Sequence, residues 1–285
     1  MPTTLDQLMA LRQDQVATSF TERDTMLYAL AIGMGRDPMD ETELSYVYER
    51  RGDLRAVPSQ AVTVARHNLI FDCGLNLDKT LHGEQVLTLH RPLPPAAEVV
   101  ADHRVVNVFD KGPAKGLLIE AETRAYTRDG VPLFDIYNLY FARADGGIGS
   151  SGGTQRAPHP MPQRAPDLTR RTTTQTGQGL LYRLTGDRNP IHADPKVARE
   201  AGFERPILHG SCTLAIACRE VLAGVCDYDA NRMQTFGTRF TAPVIPGEVI
   251  ETDIWVDGDQ VSFRCRVPER GVTVLDHGQC RIAAR

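Results

Sequence analysis

The chain has 285 residues, of which 41% are hydrophobic and 24% charged, and its formal net charge at pH 7 is −4. This composition is typical of globular proteins that bury one large core or two ordinary ones. The negative charge argues against nucleic acid as the main partner, and no apolar run approaches the ~20 residues that a membrane-spanning helix needs.

The two ends and the potential metal ligands carry no special pattern. The N-terminal Met-Pro-Thr-Thr-Leu-Asp lacks a basic and then apolar leader, and the C-terminal Ile-Ala-Ala-Arg is unlike a Ser-Lys-Leu peroxisomal address. We therefore expect a cytoplasmic protein. The six cysteines form no Cys-x-x-Cys pair and the eight histidines are scattered, so we expect no metal site.

The first half of the chain combines a weak helix signal with clear strand patterns. Residues 58–71 include Val62, Thr63 and Val64, which are poor helix formers, so any helix there is predicted to be short or unwound. Alternating apolar and polar residues predict three strands, with Asp-Gly as one hairpin turn. These strands cover residues 98–109, 116–126 and 132–143.

A linker and a second set of elements follow. Glycine, serine and proline dominate residues 146–166, which predicts a linker between an N-terminal unit (1–145) and a C-terminal unit (167–285). Alanines and a glycine near the end predict a helix over residues 214–225. Strands are predicted at residues 249–256, 261–267 and 272–275.

The most informative segment precedes that helix. Residues 181–195, Leu-Tyr-Arg-Leu-Thr-Gly-Asp-Arg-Asn-Pro-Ile-His-Ala-Asp-Pro, place Asp187 and His192 five positions apart around an Asn-Pro break. Glycine, asparagine and proline oppose a continuous helix here, which predicts a tight turn that directs side chains into a cleft. The segment Leu208-His-Gly-Ser-Cys-Thr then leads into the helix. An acid, a base and an amide-rich helix start are the groups needed to add water across a polarised double bond.

Two pairs of segments indicate an internal duplication. Residues 27–33 align with residues 181–187 at an offset of 154, and residues 91–95 align with residues 242–246 at an offset of 151. Because the two offsets nearly agree, the chain is predicted to contain two copies of one fold.

The same alignment shows which copy carries the chemistry. Asp187 falls on Gly33, and His192 falls near Pro38, so the first copy lacks both groups. The Leu-His-Gly that contains His82 does not align with the similar Leu-His-Gly before the helix, so His82 is predicted to be structural. Only the second half is expected to be catalytic.

These motifs resemble a known family. The sequence Gly-Asp-x-Asn-Pro-Ile-His at residues 186–192, with Arg-Pro-Ile-Leu-His-Gly at residues 205–210, resembles the signature of the MaoC-like, R-specific enoyl-CoA hydratases, or enoyl-CoA hydratases 2. Residues 23–33, 81–85 and 145–149 resemble the non-catalytic first half of the double hot-dog members, although Arg143-Ala144 stands where an Arg-Gly is expected. The resemblance implies an α+β double hot-dog fold. Each unit would be a curved antiparallel sheet around a central helix, degenerate in the first unit.

The resemblance also implies a reaction, the reversible hydration of trans-2-enoyl-CoA to (3R)-3-hydroxyacyl-CoA. Asp187 and His192 would hold one water as an acid–base pair, with either able to be the base. The amide of Gly210, at a helix N-terminus, is the natural oxyanion donor. Coenzyme A is part of the substrate, and no other cofactor is expected.

Other polar residues are weaker candidates. Asn189 is a candidate substrate-site residue that would orient the pair, with a simple turn-forming role as the alternative. Arg239 is a candidate ligand of the coenzyme A phosphates, as are Lys111 and Lys115, for which surface solvation is the alternative. His209 is favoured as structural. We expect an acyl-CoA as the partner and a homodimer.

Three other functions remain open. A thioesterase on the same fold also uses a carboxylate and a helix N-terminus, but it need not manage a proton at C2, which the acid–base pair does. A dehydratase acting on acyl carrier protein would need a basic docking face, which a net charge of −4 does not suggest. A non-enzymatic acyl-CoA binding protein would not need the acid–base pair at all.

Overall fold

The fold of the chain was obtained as a computed structural model, which describes residues 3–67, 69–71 and 73–283. Within these ranges the strands form a ten-stranded antiparallel sheet with the order β1-β3-β4-β5-β2-β7-β10-β9-β8-β6. The strands are β1 Arg12–Phe20, β2 Thr80–Leu89, β3 Ala97–Asp110, β4 Leu117–Thr127, β5 Pro132–Ala142, β6 Leu168–Thr173, β7 Met233–Phe240, β8 Val249–Asp257, β9 Gln260–Val267 and β10 Val272–Ile282.

The helices are short except for one. In the part of the chain that is described they are α1 Leu5–Met9, α2 Glu22–Ala31, α3 Glu41–Val47, α4 Ala61–Val64, α5 Gln178–Tyr182, α6 Pro195–Glu200 and α7 Gly210–Val225. The sixteen-residue α7 confirms the predicted central helix and begins four residues before the predicted start. None of these helices is long and apolar enough to cross a membrane.

The sheet displays the duplication. The first half contributes the strand order β1-β3-β4-β5-β2 and the second half the equivalent order β6-β8-β9-β10-β7. The halves meet where β2 pairs with β7, and Glu84 lies opposite Arg239. The equivalent residues Tyr28 and Tyr182 also meet, with ring centroids 5.9 Å apart. The double hot-dog prediction is confirmed.

The central helix of the first unit is degenerate, as predicted. A 3-10 turn, Pro58–Gln60, leads into the four-residue α4, which stands in place of a helix like the sixteen-residue α7. The β-branched residues in this stretch restrict side-chain rotamers against the preceding turn, which shortens the helix.

Part of the first half belongs to the core of the second. Tyr28, Ile32, Met34 and Tyr46 are fully or almost fully buried in the cluster that surrounds α7. Separate apolar clusters lie over the strands of the first half. Between β5 and β6 the chain has neither helix nor strand. The predicted unit boundaries in this region stay a prediction.

Candidate active site

The turn predicted around the Asn-Pro break positions the two candidate catalytic side chains. A 3-10 turn after α5 ends at Gly186, whose φ of 137° is a conformation that side-chain-bearing residues rarely adopt. The side-chain oxygen of Asn189 accepts a hydrogen bond from the N–H of Ile191 at 3.1 Å and caps the next 3-10 turn, Pro190–His192. Asp187 therefore lies just before one tight, capped turn and His192 at its end, and their polar atoms lie within 4.8 Å of each other.

His192 is held as a base. Its Nδ1 lies 2.9 Å from the carbonyl oxygen of Ile207. Because a carbonyl oxygen can only accept, Nδ1 carries the proton and Nε2 presents a lone pair. Burial lowers the pKa of His192 from its ordinary value, and this effect exceeds the opposing effects of the Ile207 carbonyl and Asp187. The imidazole is therefore neutral at pH 7 and able to take a proton.

Asp187 is held as a carboxylate. Nη1 of Arg66 lies 2.6 Å from its Oδ2, and the backbone N–H of Asn189 donates to its Oδ1 at 3.1 Å. Burial alone would raise the pKa of this carboxyl, but the hydrogen bond and charge of Arg66, with smaller contributions from His209 and the Asn189 amide, lower it overall. Asp187 is therefore ionised at neutral pH.

His209 contacts both His192 and Asp187. Its buried ring stacks on the ring of His192 with centroids 3.8 Å apart, and its Nε2 donates to the backbone carbonyl of Asp187 at 3.0 Å. Burial, and then the neighbouring His192, lower the pKa of His209 to about 4, so it is neutral. These contacts fix the catalytic turn, which is the structural role that the sequence favoured.

Gly210 begins α7 next to this pair. No side chain caps the helix there, so the N–H groups of its first turn have no side-chain capping partner. A Cβ at this position would come within 3.2 Å of the ring of Phe240. Glycine therefore leaves the Phe240 ring in place, and the role of the Gly210 amide as oxyanion donor stays a prediction.

The same three side chains also raise the question of a metal ion. One ligand atom from each of Asp187, His192 and His209 lies within 4.8 Å of the others. An ion bound by two histidines lies in the plane of both rings at about 2.0–2.1 Å. The rings of His192 and His209 are stacked with their planes inclined by 29°, and one nitrogen of each ring is already hydrogen-bonded to a backbone carbonyl. The arrangement suits acid–base chemistry better, and the expectation of no metal stays a prediction.

The wall of the site includes a histidine from the first half. The ring of His82 stacks on Tyr140 and lies 4.8 Å from that of Phe240, between centroids. Its Nε2 is 3.0 Å from the side-chain oxygen of Asn138. His82 thus lies closer to the chemistry than the alignment suggested. These packing contacts agree with a structural role.

The candidate coenzyme A ligands lie outside this cluster. Nε of Arg239 donates to Oε2 of Glu84 at 2.7 Å, an ion pair that joins β7 to β2. Lys111 and Lys115 line a surface cleft of about 460 Å³ together with Arg143 and apolar side chains. The substrate roles of Arg239, Asn189 and the two lysines stay predictions.

Arg66 is the site residue that sequence reasoning missed. It lies two residues after α4, in the half that has no catalytic motif, yet it contacts Asp187. A single arginine beyond a poor helix signal carries no motif. The only available clue was the resemblance of the first half to a retained, non-catalytic unit.

Comparison with known proteins identifies two adjoining family matches. Residues 18–143 match the family described as the MFE-2 hydratase 2 N-terminal domain, and residues 158–277 match the family described as the MaoC-like domain.

Relatives and solved structures cover almost the whole chain. It is 35% identical to the enoyl-CoA hydratase ChsH3 of Mycobacterium tuberculosis over 98% of both chains. It is 36% identical to the peroxisomal enoyl-CoA hydratase 2 of Arabidopsis thaliana, over 95% of this chain and 93% of the relative. By contrast, it spans only 36% of the mouse peroxisomal multifunctional enzyme type 2. The crystal structure of a MaoC-like dehydratase from Phytophthora capsici superposes with a TM-score of 0.88, at 30% identity and 99% coverage of both chains.

Proposed function

Since the chain belongs to the MaoC-like hydratase 2 family, we propose that it adds water to trans-2-enoyl-CoA and forms (3R)-3-hydroxyacyl-CoA, a reaction that also runs in reverse. The observation that carries this proposal is the pairing of an ionised Asp187 with a neutral His192 beside the uncapped N-terminus of α7. Both groups and the oxyanion donor come from the second half.

The first step uses the lone pair of His192. A water held between Nε2 of His192 and the carboxylate of Asp187 loses a proton to Nε2 while its oxygen bonds to C3. The C2–C3 π electrons move toward the thioester, and negative charge collects on its oxygen. The N–H of Gly210, at the positive end of a sixteen-residue helix, stabilises that charge.

The second step returns the proton. Nε2 of the His192 imidazolium delivers the same proton to C2, and both catalytic groups regain their starting states. Neither group has to be protonated at the outset, which agrees with the lowered pKa of each. Asp187 orients the water and stabilises the transient imidazolium by charge. One water delivered from one side gives syn addition.

The protonation states of Asp187 and His192 favour hydration over thioester hydrolysis. A thioesterase has no proton to place on C2, whereas His192 is oriented by Ile207 so that its free nitrogen can take and return one. Hydrolysis on the same fold is therefore the second candidate, without an observation of its own.

A direct assay separates the two. Purified protein is mixed with crotonyl-CoA, without added metal or redox cofactor, and both the conjugated thioester absorbance and free thiol are recorded. The proposal expects loss of absorbance with no thiol released. Release of coenzyme A at the rate of absorbance loss would assign the protein as a thioesterase.

Location and assembly are part of the same proposal. We propose a cytoplasmic homodimer that needs no cofactor beyond the coenzyme A of its substrate. Relatives named as peroxisomal enzymes make location worth testing by fractionation of the source cells. Light scattering of the purified protein at several concentrations tests the dimer.

A further inference from the structure

An arginine from the catalytically silent half contacts the acid of the catalytic half. Arg66 follows α4 in the first unit, and its Nη1 lies 2.6 Å from Oδ2 of Asp187 in the second unit. The side chains are 32% and 16% exposed, respectively. An exposed pair on the neighbouring strands β3 and β4, Arg104 with Glu122, has a distance of 3.0 Å, and its side chains are 53% and 36% exposed. The Arg66 contact is therefore shorter and better shielded from solvent.

The contact fixes the orientation of the carboxylate. Arg66 engages Oδ2, whereas the backbone N–H of Asn189 engages Oδ1. Hydrogen bonds to different oxygens restrict rotation of the carboxylate plane, and each oxygen keeps a further lone pair for water. The second bond comes from the turn that carries Asp187, so within the described residues Arg66 is the partner that joins this carboxylate to the first unit.

Arg66 is also the permanent cation of the site. The titratable groups that face Asp187 are Tyr182 at the end of α5, His192 in the turn, His209 before α7 and His82 on β2. Burial lowers the pKa of all three histidines and raises that of the tyrosine, so these groups are neutral at pH 7. Among the described groups that face the carboxylate, Arg66 alone balances its charge.

We infer that Arg66 is a positioning residue of the hydratase, through which the silent first unit holds Asp187 in the orientation and charge state that hydration requires. This inference rests on the proposed function. Through this contact the first unit takes part in the chemistry, because its arginine balances the charge of a carboxylate in the second unit.

The experiment compares Arg66→Gln, Arg66→Lys and the matched surface variant Arg104→Gln. At pH 8 with crotonyl-CoA, Arg66→Gln should lower kcat by about 10- to 100-fold, the scale of a misplaced catalytic group, with KM little changed. The acid limb of kcat/KM should move to higher pH, because loss of the cation raises the pKa of both Asp187 and His192. Arg66→Lys should keep the limb near that of the wild type, and Arg104→Gln should match the wild type throughout.

A second readout does not need turnover. The ¹³Cγ resonance of Asp187, assigned by its loss in Asp187→Asn, should titrate at higher pH in Arg66→Gln than in the wild type. If the wild type fails to hydrate enoyl-CoA, the proposed function is lost, but this titration still decides the role of Arg66. Arg66→Met replaces Arg66→Gln if the latter does not fold.

Two results would overturn the inference. An unchanged titration of Asp187 in Arg66→Gln would show that Arg66 does not set its charge state. A raised KM with unchanged kcat and an unmoved acid limb would show that Arg66 only binds substrate.

Discussion

Replacement of His192 by asparagine separates its two functions. The amide nitrogen of asparagine occupies the place of Nδ1, so it can still donate to the Ile207 carbonyl, 2.9 Å from Nδ1 in the native site. The variant lacks any atom in the place of Nε2. We expect a folded protein that has lost its base. His192→Ala loses both the base and the hydrogen bond.

The expected magnitudes differ for activity and stability. Loss of a positioned general base costs about 10²- to 10⁴-fold in kcat. This corresponds to about 2.7–5.4 kcal/mol of transition-state stabilisation. The hydrogen bond to Ile207 is worth about 1 kcal/mol, or about 2–4 °C in Tm for a chain of this size. His192→Asn should therefore melt close to the wild type, whereas His192→Ala should melt lower.

The assay pairs thermal unfolding with turnover of crotonyl-CoA. Both variants should show a similarly large loss of kcat, and only the alanine variant should lose Tm. If His192→Asn kept turnover within about tenfold of the wild type, less than the smallest effect expected of a general base, His192 would not be the proton shuttle.

Three further expectations follow from the same contacts. Because burial lowers the pKa of His192 and its neutral form is the active one, the acid limb of kcat/KM should lie below pH 6.5, and a limb at or above 6.5 would contradict this. Gly210→Ala brings a Cβ to 3.2 Å from the Phe240 ring and should lower kcat by about 10-fold or more, because it displaces the oxyanion donor. An unchanged kcat would show that the thioester does not approach the Gly210 amide closely. A fragment of residues 165–285 should aggregate on size-exclusion chromatography, because it lacks Tyr28 and Tyr46 of the core around α7 and exposes the edge of β7. A stable monomeric fragment would contradict this expectation.

Local patterns predicted the parts of the fold in which apolar and polar residues alternate regularly. The strand predicted at residues 98–109 is β3, Ala97–Asp110, and the helix predicted at residues 214–225 is most of α7. Strand β1 was missed because it is a polar, largely exposed edge strand. Strand β10 continues to Ile282, beyond the predicted residues 272–275. Its register shifts after Leu275, and His277 has a φ of 54°, which interrupts the alternation.

The site residues also fall into two groups, those with a local sequence signal and those without one. Asp187, His192 and Gly210 could be predicted as site residues because a turn signal and a helix start lie close together in sequence. Arg66 reaches Asp187 only through the pairing of the two units. The place of His82 between Tyr140 and Phe240 likewise depends on strand pairing. Contacts of this kind depend on topology, and a single sequence carries no local signal for them.

The most direct test of the account is the stereochemistry of hydration. Crotonyl-CoA is hydrated in ²H₂O by the wild type, and the configurations at C2 and C3 are read by NMR and chiral analysis. If one water is held between Asp187 and His192 and its deuteron is delivered to C2 from the same face, the product is a single (3R) isomer formed by syn addition. A (3S) product, or an anti relationship between the hydroxyl and the deuterium, would contradict the account.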